Sequence, residues 1–483
     1  MHADFIIRGA EIIDGNGTPR RKGDVAVSDD RIVATGDLGH WTAGREIEAK
    51  DRVVAPGFID PHVHHDAALF TAPDMEFMTN QGVTTVINGN CGFSIAPIRR
   101  PENLLGQLRM ISARPDLIFP TYAAYRDRIA AEPPAVNAAC LIGQSTLRSN
   151  AMDDLSRAAT DDELADMCAL LDEALGQGAI GVSTGPFYPP ARASTTAELI
   201  ALGRVAHAHG KLYVTHMRDE GDRVIEALEE TFSVGREACC GVHVSHHKCA
   251  GLANHGLSET TLAMIDAEMR QRDVGLDTTP WIASSTILNS GRHRQAERVI
   301  IAESEPHPEL AGRDLADVAR DWNTDLEGAI ERLLPATGIF FIMAEEDVQR
   351  IMAYEHTMIC SDGMPSGSHP HPRVWGTFPR VLGRYVRDVG LFSLEEGVRR
   401  MTSMPADRFG LGGRGRIAVG GFADLVIFDP RTIAEGATFE NPIRPAHGID
   451  RVFVNGREVF AFGKPTGNRP GRPLHQTAPV RVV

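Results

Sequence analysis

The chain has no excess of positive charge. Its 483 residues include 64 acidic and 49 basic side chains, a formal net charge of −15. That balance disfavours nucleic acid and anionic membrane surfaces as partners. It leaves room for a small anionic substrate, because a few local cations decide that. Cysteine is also sparse: Cys91, Cys140, Cys168, Cys239, Cys240, Cys249 and Cys360. Their odd number and irregular spacing argue against a disulfide framework and for a reducing compartment. No stretch approaches the roughly 18 apolar residues that a membrane span needs. The N-terminus lacks the cationic start and long apolar core of a signal peptide. These absences lead us to expect a soluble cytoplasmic protein.

What is present is globular in composition, 42% hydrophobic and 23% charged, and long enough for a barrel plus something smaller. Residues 1–55 alternate short strand-like runs with turns, at 4–8, 24–27, 31–35 and 45–49. The end of the chain repeats this at 423–428 and 451–454, where Asn455-Gly456 is a hairpin signal. We expect one small β domain built from both termini, 1–55 and 412–483, with 463–473 as an exposed tail. Residues 56–411 repeat an apolar run, a polar strand end and a helical stretch. Eight strands are expected, at 54–64, 84–91, 138–144, 179–184, 212–216, 242–246, 274–278 and 356–362. Helices are expected at 160–177, opened by a Thr160/Glu163 capping box, and at 195–209. Eight β/α units predict an α/β fold, a TIM (β/α)8 barrel with its active site at the C-terminal strand ends. The gap at about 281–345 is too long for a plain connection and is expected to be an insertion over the barrel mouth.

The chemistry begins at Pro56-Gly57-Phe58-Ile59-Asp60-Pro61-His62-Val63-His64. Side chains two apart in a strand share a face, so His62 and His64 project together and are ready metal ligands. Taken alone, such a pair could equally be one core and one surface histidine. The other strand ends add Cys91, in Asn88-Gly89-Asn90-Cys91-Gly92, then His216, His246 and Asp362. Six donors are too many for one tetrahedral ion; they suit two adjacent subsites, or one occupied site beside a weak one. Asp362 beside a metal is well suited to be the general base, taking a proton from the attacking water and passing it to the leaving amine. His247, next to His246, should face away, and His243, His255, His369 and His371 have no strand-end placement.

These motifs resemble the amidohydrolase superfamily, and more closely its D-aminoacylase (N-acyl-D-amino-acid deacylase) family. The resemblance runs from 56–64 through 88–92, Gly181-Val182-Ser183-Thr184-Gly185 with Tyr188-Pro189-Pro190, Thr215-His216-Met217-Arg218, Ser245-His246-His247-Lys248 and Ser361-Asp362-Gly363. It ends at Gly421-Phe422-Ala423-Asp424-Leu425-Val426. It implies zinc-dependent hydrolysis of N-acyl-D-amino acids to a carboxylate and a free D-amino acid. One tightly held zinc would be bound by Cys91, His216 and His246. A weaker subsite would use His62, His64 and Asp362 and share Cys91. Asp362 carries over as the general base, and Tyr188 as a donor to the developing oxyanion. Lys248 and Arg373 match positions that bind the substrate's α-carboxylate. Family members acting on N-acyl-D-glutamate use an arginine near the start of the insertion. That gives Arg292 or Arg294 the distal carboxylate, and a preference for acidic side chains.

Two departures stand out. Thr279 occupies a position that is commonly tyrosine in relatives, and Gln144 one that is commonly histidine. Two other functions are weighed. A cyclic amidase of the hydantoinase or dihydropyrimidinase kind would generally carry a carboxylated lysine after the fourth strand, where 181–185 has none. A non-catalytic interaction protein on the same scaffold would be expected to lose metal ligands, and none is missing. Oligomeric state is left open by the sequence.

Overall fold

A computed structural model describes residues 1–104 and 115–477. The strands of residues 1–56 and those after residue 424 lie in one nine-stranded sheet. The link is Val53–Pro56, which pairs parallel with His2–Ile12 on one side and antiparallel with Leu425–Phe428 on the other. These two inner strands are buried throughout, which is why they read as continuous apolar runs rather than alternating ones. Their residues nonetheless alternate in destination, as strand geometry requires. Val54, Leu425 and Ile427 pack with Phe5, Val25 and Ile47 in the sheet's own core. Ala55, Val426 and Phe428 turn to the large central core.

The middle of the chain supplies eight parallel strands: β1 (Phe58–Asp60), β2 (Val83–Asn88), β3 (Asn137–Cys140), β4 (Gly181–Thr184), β5 (Leu212–Thr215), β6 (Val242–Val244), β7 (Val274–Thr278) and β8 (Thr357–Ile359). Their ladders form two arcs. One runs β1-β2-β3; the other begins at Ile142–Gly143, just beyond β3, and runs through β4, β5, β6 and β7 to β8. The ends of β1 and β8 are tied by Asp362 N–H to His62 C=O at 2.9 Å and His64 N–H to Gly363 C=O at 2.9 Å. The expected 54–64 strand is therefore two, broken at Gly57. A Cβ there would lie 2.1 Å from Thr84 Cγ2, so only glycine lets the chain leave the nine-stranded sheet against β2. Helices Asp161–Gly176 and Thr196–Ala208 match expectation, the first with its Thr160/Glu163 capping box formed. Among the described residues, no helix is long and apolar enough to cross a membrane.

Two regions differ from the sequence reading. The 281–345 stretch contains, besides helices Leu315–Asp321 and Leu326–Leu333, a three-stranded antiparallel sheet of Ala283–Ile287, Ala336–Phe341 and Arg298–Ser304. Its apolar face is small, centred on Ala283, Ile300, Ala302 and Ile339, too short a signal to separate from the charged helices around it. The 463–473 stretch is exposed over most of its length, as expected, but its end is not free. Ala138 N–H donates to Arg472 C=O at 3.0 Å, and Leu474 N–H to Ala138 C=O at 2.7 Å. The pairing satisfies backbone groups of edge residue Ala138.

The Gly421–Val426 motif has a physical reason at this junction. Asp424 is buried, pairs with the buried Arg414 guanidinium and accepts from Asn455 N–H at 2.8 Å and Asn137 Nδ2 at 3.4 Å. It thus fastens the terminal sheet to β3. Asp424→Ala would strand the buried Arg414 charge and is expected to cost about 3–5 kcal/mol of stability. Urea unfolding checks this; a loss under about 1 kcal/mol would mean the pair is solvated.

Candidate metal and substrate site

The candidate donors meet where the eight strands end. The loop after β2 can turn inward because Gly89 adopts φ +76° and leaves no Cβ to strike Leu141 C=O. Cys91, His246 and Asp362 each hold positive φ, at +54°, +33° and +51°, a backbone state that non-glycine residues adopt at a cost. Three strained residues from three different strand ends thus aim a thiol, an imidazole and a carboxylate at one space.

Cys91 Sγ lies 3.2 Å from His62 Nε2, 3.3 Å from His246 Nε2 and 3.7 Å from His216 Nδ1. His216 Nδ1 and His246 Nε2 are 3.0 Å apart. Asp362 Oδ1 is 3.6 Å from His62 Nε2 and 3.4 Å from His64 Nε2. A tetrahedral zinc with Zn–N near 2.0 Å and Zn–S near 2.3 Å separates its ligands by about 3.3–3.6 Å, so the donor set fits such an ion. Burial favours the neutral, ligating form of the imidazoles, pushing His62 and His216 well below the usual histidine range. Burial, with Asp362 and Glu220 nearby, pushes the Cys91 thiol well up. An incoming cation must therefore displace its proton. Burial works against the Asp362 carboxylate, but Arg373 and His246 outweigh it and hold the group well below the usual range.

The grouping differs in detail from expectation. His62, Cys91, His246 and Asp362 form one mutually close set, and His216, Glu220 and His246 another. His64 stands at the rim, where it lines a small cleft with Tyr188, Ser285, Met364, Asp362 and Arg373. Larger clefts, about 430 Å³ beside Arg218 and Glu230 and about 420 Å³ beside Met358 and Arg408, contain none of these converging donors. Tyr188 is buried with its ring against His216, at a centroid distance of 4.8 Å.

The expected cations separate. Arg373 is buried and donates to Asp362 Oδ2 at 2.6 Å. Lys248 Nζ lies 2.7 Å from Glu220 Oε1 and 2.8 Å from His246 Nδ1. Arg292 is buried on Glu220 Oε2 at 2.5 Å and over the Phe187 ring at 4.8 Å. Arg294 does not join them. Its side chain is 68% exposed and pairs with Glu327 on the surface, because the turn at 292–294 sends the two arginines in different directions.

Sequence reasoning missed Glu220 and gave Asp277 no role, while His243, expected to be a loop or supporting residue, does stand behind the ligands. Glu220 follows His216 by four residues in the βα turn after β5, which is where barrel enzymes carry site residues, and that position was the available signal. Asp277 accepts from His243 Nε2 at 2.7 Å, from the His246 backbone N–H and from Cys360 Sγ, fixing the backbone beneath His246. Gln144 donates to the buried Glu198 at 2.7 Å beside Arg148. Its departure from histidine thus serves a buried ion pair. Thr279 is buried against a small cavity with Lys248 and Trp281.

The amidohydrolase family model matches residues 45–276 and 323–460, and the chain belongs to that family. D-aminoacylase of Alcaligenes xylosoxydans xylosoxydans is 50% identical over 475 residues, 98% of each chain. The N-acyl-D-glutamate deacylase of the same organism is 45% identical over 478 residues, 99% of this chain and 97% of that one. The crystal structure of N-acyl-D-glutamate deacylase from Bordetella bronchiseptica, complexed with zinc and a phosphonate inhibitor, superposes with a TM-score of 0.95. It is 44% identical and covers 98% of this chain and 100% of that one. A dihydropyrimidinase from Brevibacillus agri, 17% identical with a TM-score of 0.63 over 99% of each chain, shares the fold alone.

Removing the thiol should empty the site. Cys91→Ala is expected to lose bound zinc on dialysis, while Arg294→Ala retains it, both read by atomic absorption. Full zinc retention by Cys91→Ala would show that the thiol is not a ligand.

Proposed function

We propose that this amidohydrolase uses zinc to hydrolyse the amide bond of N-acyl-D-amino acids, releasing a carboxylate and a free D-amino acid. The observation that carries this reading is the convergence of one thiol, three imidazoles and a carboxylate beside three buried cations. The cleft offers both halves of what a linear N-acyl amino acid needs, a Lewis-acid site for the amide and fixed positive charge for the carboxylate. Zinc, held by Cys91, His216 and His246, supplies Lewis acidity for the scissile carbonyl and the attacking water. A second, weaker subsite falls to His62, His64 and Asp362.

The remaining steps belong to the protein. Asp362 is ionised and lies within reach of two imidazoles. It takes the proton as water oxygen adds to the carbonyl carbon, and returns it to the nitrogen as the C–N bond breaks. The Tyr188 hydroxyl is directed at the oxyanion that forms. Arg373 and Lys248 receive the α-carboxylate, Arg373 as a planar fork and Lys248 as a point charge. With carboxylate and amide both pinned, only one Cα configuration presents its amide correctly, which selects the D form.

The cyclic-amidase alternative lacks support at the end of β4, where Gly181–Thr184 and Gly185 offer no lysine. The non-catalytic alternative lacks support because every expected donor is present. We further read the two strand arcs as one (β/α)8 barrel joined through the His62–Asp362 and His64–Gly363 bonds. Residues 1–55 and 412–483 form its companion β domain, and about 281–345 an insertion at its mouth. Seven free thiols fit a cytoplasmic setting, and the net charge of −15 fits a small-molecule partner rather than nucleic acid.

Asp362→Asn is expected to lower kcat by about 10²–10⁴-fold while keeping the tightly bound zinc. Amine release and metal analysis on one sample check this. A variant with near-normal kcat would remove Asp362 from the base role. Hydrolysis of N-acetyl-D-leucine but not N-acetyl-L-leucine is the expected stereochemical result, and equal rates would overturn the two-point fixation.

A further inference from the structure

Glu220 has no part in the reaction just described, yet it is the most heavily engaged anion at the site. It is buried at the end of the β5 turn. Its Oε1 takes Lys248 Nζ at 2.7 Å and lies 2.9 Å from His246 Nδ1; its Oε2 takes Arg292 at 2.5 Å and lies 3.5 Å from His216 Nε2. The third buried cation, Arg373, already holds Asp362. Lys248, Arg292 and Arg373 thus face Glu220 and Asp362, three positive charges against two negative ones. Among these five groups, leaving aside Asp277 beneath His246 and the metal with its thiolate, the cations exceed the anions by one, enough for one incoming carboxylate.

Resting on the deacylase reading, we infer that Glu220 is an internal counter-ion that sets side-chain specificity. It holds Lys248 and Arg292 so that the site accepts one substrate carboxylate and favours uncharged side chains. The α-carboxylate claims the free charge. A second carboxylate, on the side chain of N-acyl-D-glutamate or N-acyl-D-aspartate, would have to displace Glu220 from Arg292. That would leave a buried, tethered carboxylate with fewer partners, the costly way to break a buried pair. For Arg292 to receive a distal carboxylate, as the sequence reading expects, Glu220 would have to give up that cation. Arg294 cannot replace it, since it is exposed and paired with Glu327. The Phe187 ring under the Arg292 guanidinium further fixes that cation toward Glu220.

The test compares kcat and KM of zinc-loaded wild type and Glu220→Gln on N-acetyl-D-leucine and N-acetyl-D-glutamate, with zinc assayed on each sample. Wild type should favour the leucine substrate in kcat/KM. Glu220→Gln frees Arg292 and should raise the glutamate-to-leucine ratio roughly tenfold or more, chiefly through a lower KM for glutamate. A wild type that favours glutamate overturns the proposal, and this needs no variant to fold. So does a variant in which both substrates fall together in kcat with an unchanged ratio, the mark of a merely structural Glu220. If wild type hydrolyses neither compound, the deacylase reading fails separately. Calorimetric binding of the same two compounds then decides the counter-ion role. A selective gain in affinity of Glu220→Gln for the dicarboxylate supports it, and equal changes for both refute it.

Discussion

The site depends on the mutual exposure of lone pairs in a largely buried space. Cys91 Sγ, His62, His246 and His216 face one another at 3.0–3.7 Å, and burial pushes His62 and His216 toward the uncharged form. Side chains left in this state would repel or go unpaired, each at a cost comparable to a lost hydrogen bond. A divalent cation is what makes the arrangement favourable. The left-handed backbone at Cys91, His246 and Asp362 tells the same story, because strain on three separate strand ends persists only where the surroundings impose it. The parallel-strand scaffold supplies that imposition, with Asp277 holding the His246 backbone from below.

Charge around this centre is arranged in buried pairs. The ligand cluster is surrounded by buried ion pairs, Arg373 with Asp362 and Lys248 and Arg292 with Glu220. Buried pairs of this kind contribute little net stability, so stability is no sufficient reason for them. They place cations at defined points in a buried site, where a substrate carboxylate gains most from them.

Much of this was legible in the sequence because strand ends are marked twice, once by the loss of an apolar run and once by a polar residue. Cys91, His216, His246 and Asp362 each sit where an apolar strand gives way, and the HxH pair declares a shared face by its spacing. Glu220 was not legible for the opposite reason. It lies inside the turn Arg218-Asp219-Glu220-Gly221-Asp222, among other acids that are solvated, and only the fold separates the buried one from its neighbours. The small sheet at 283–341 was hidden by the same kind of dilution, a few apolar residues among many charges. Arg292 and Arg294 looked equivalent two residues apart; one short turn buries the first and exposes the second. The pinning of 471–474 to Ala138 rests on backbone bonds, which carry no side-chain signature at all.

X-ray absorption at the zinc edge of the loaded protein tests the central claim directly. The account predicts one sulfur ligand at about 2.3 Å together with nitrogen or oxygen ligands near 2.0 Å. A first shell of nitrogen and oxygen alone would contradict it, because the thiol at the centre of the converging donors would then have no bond to the metal.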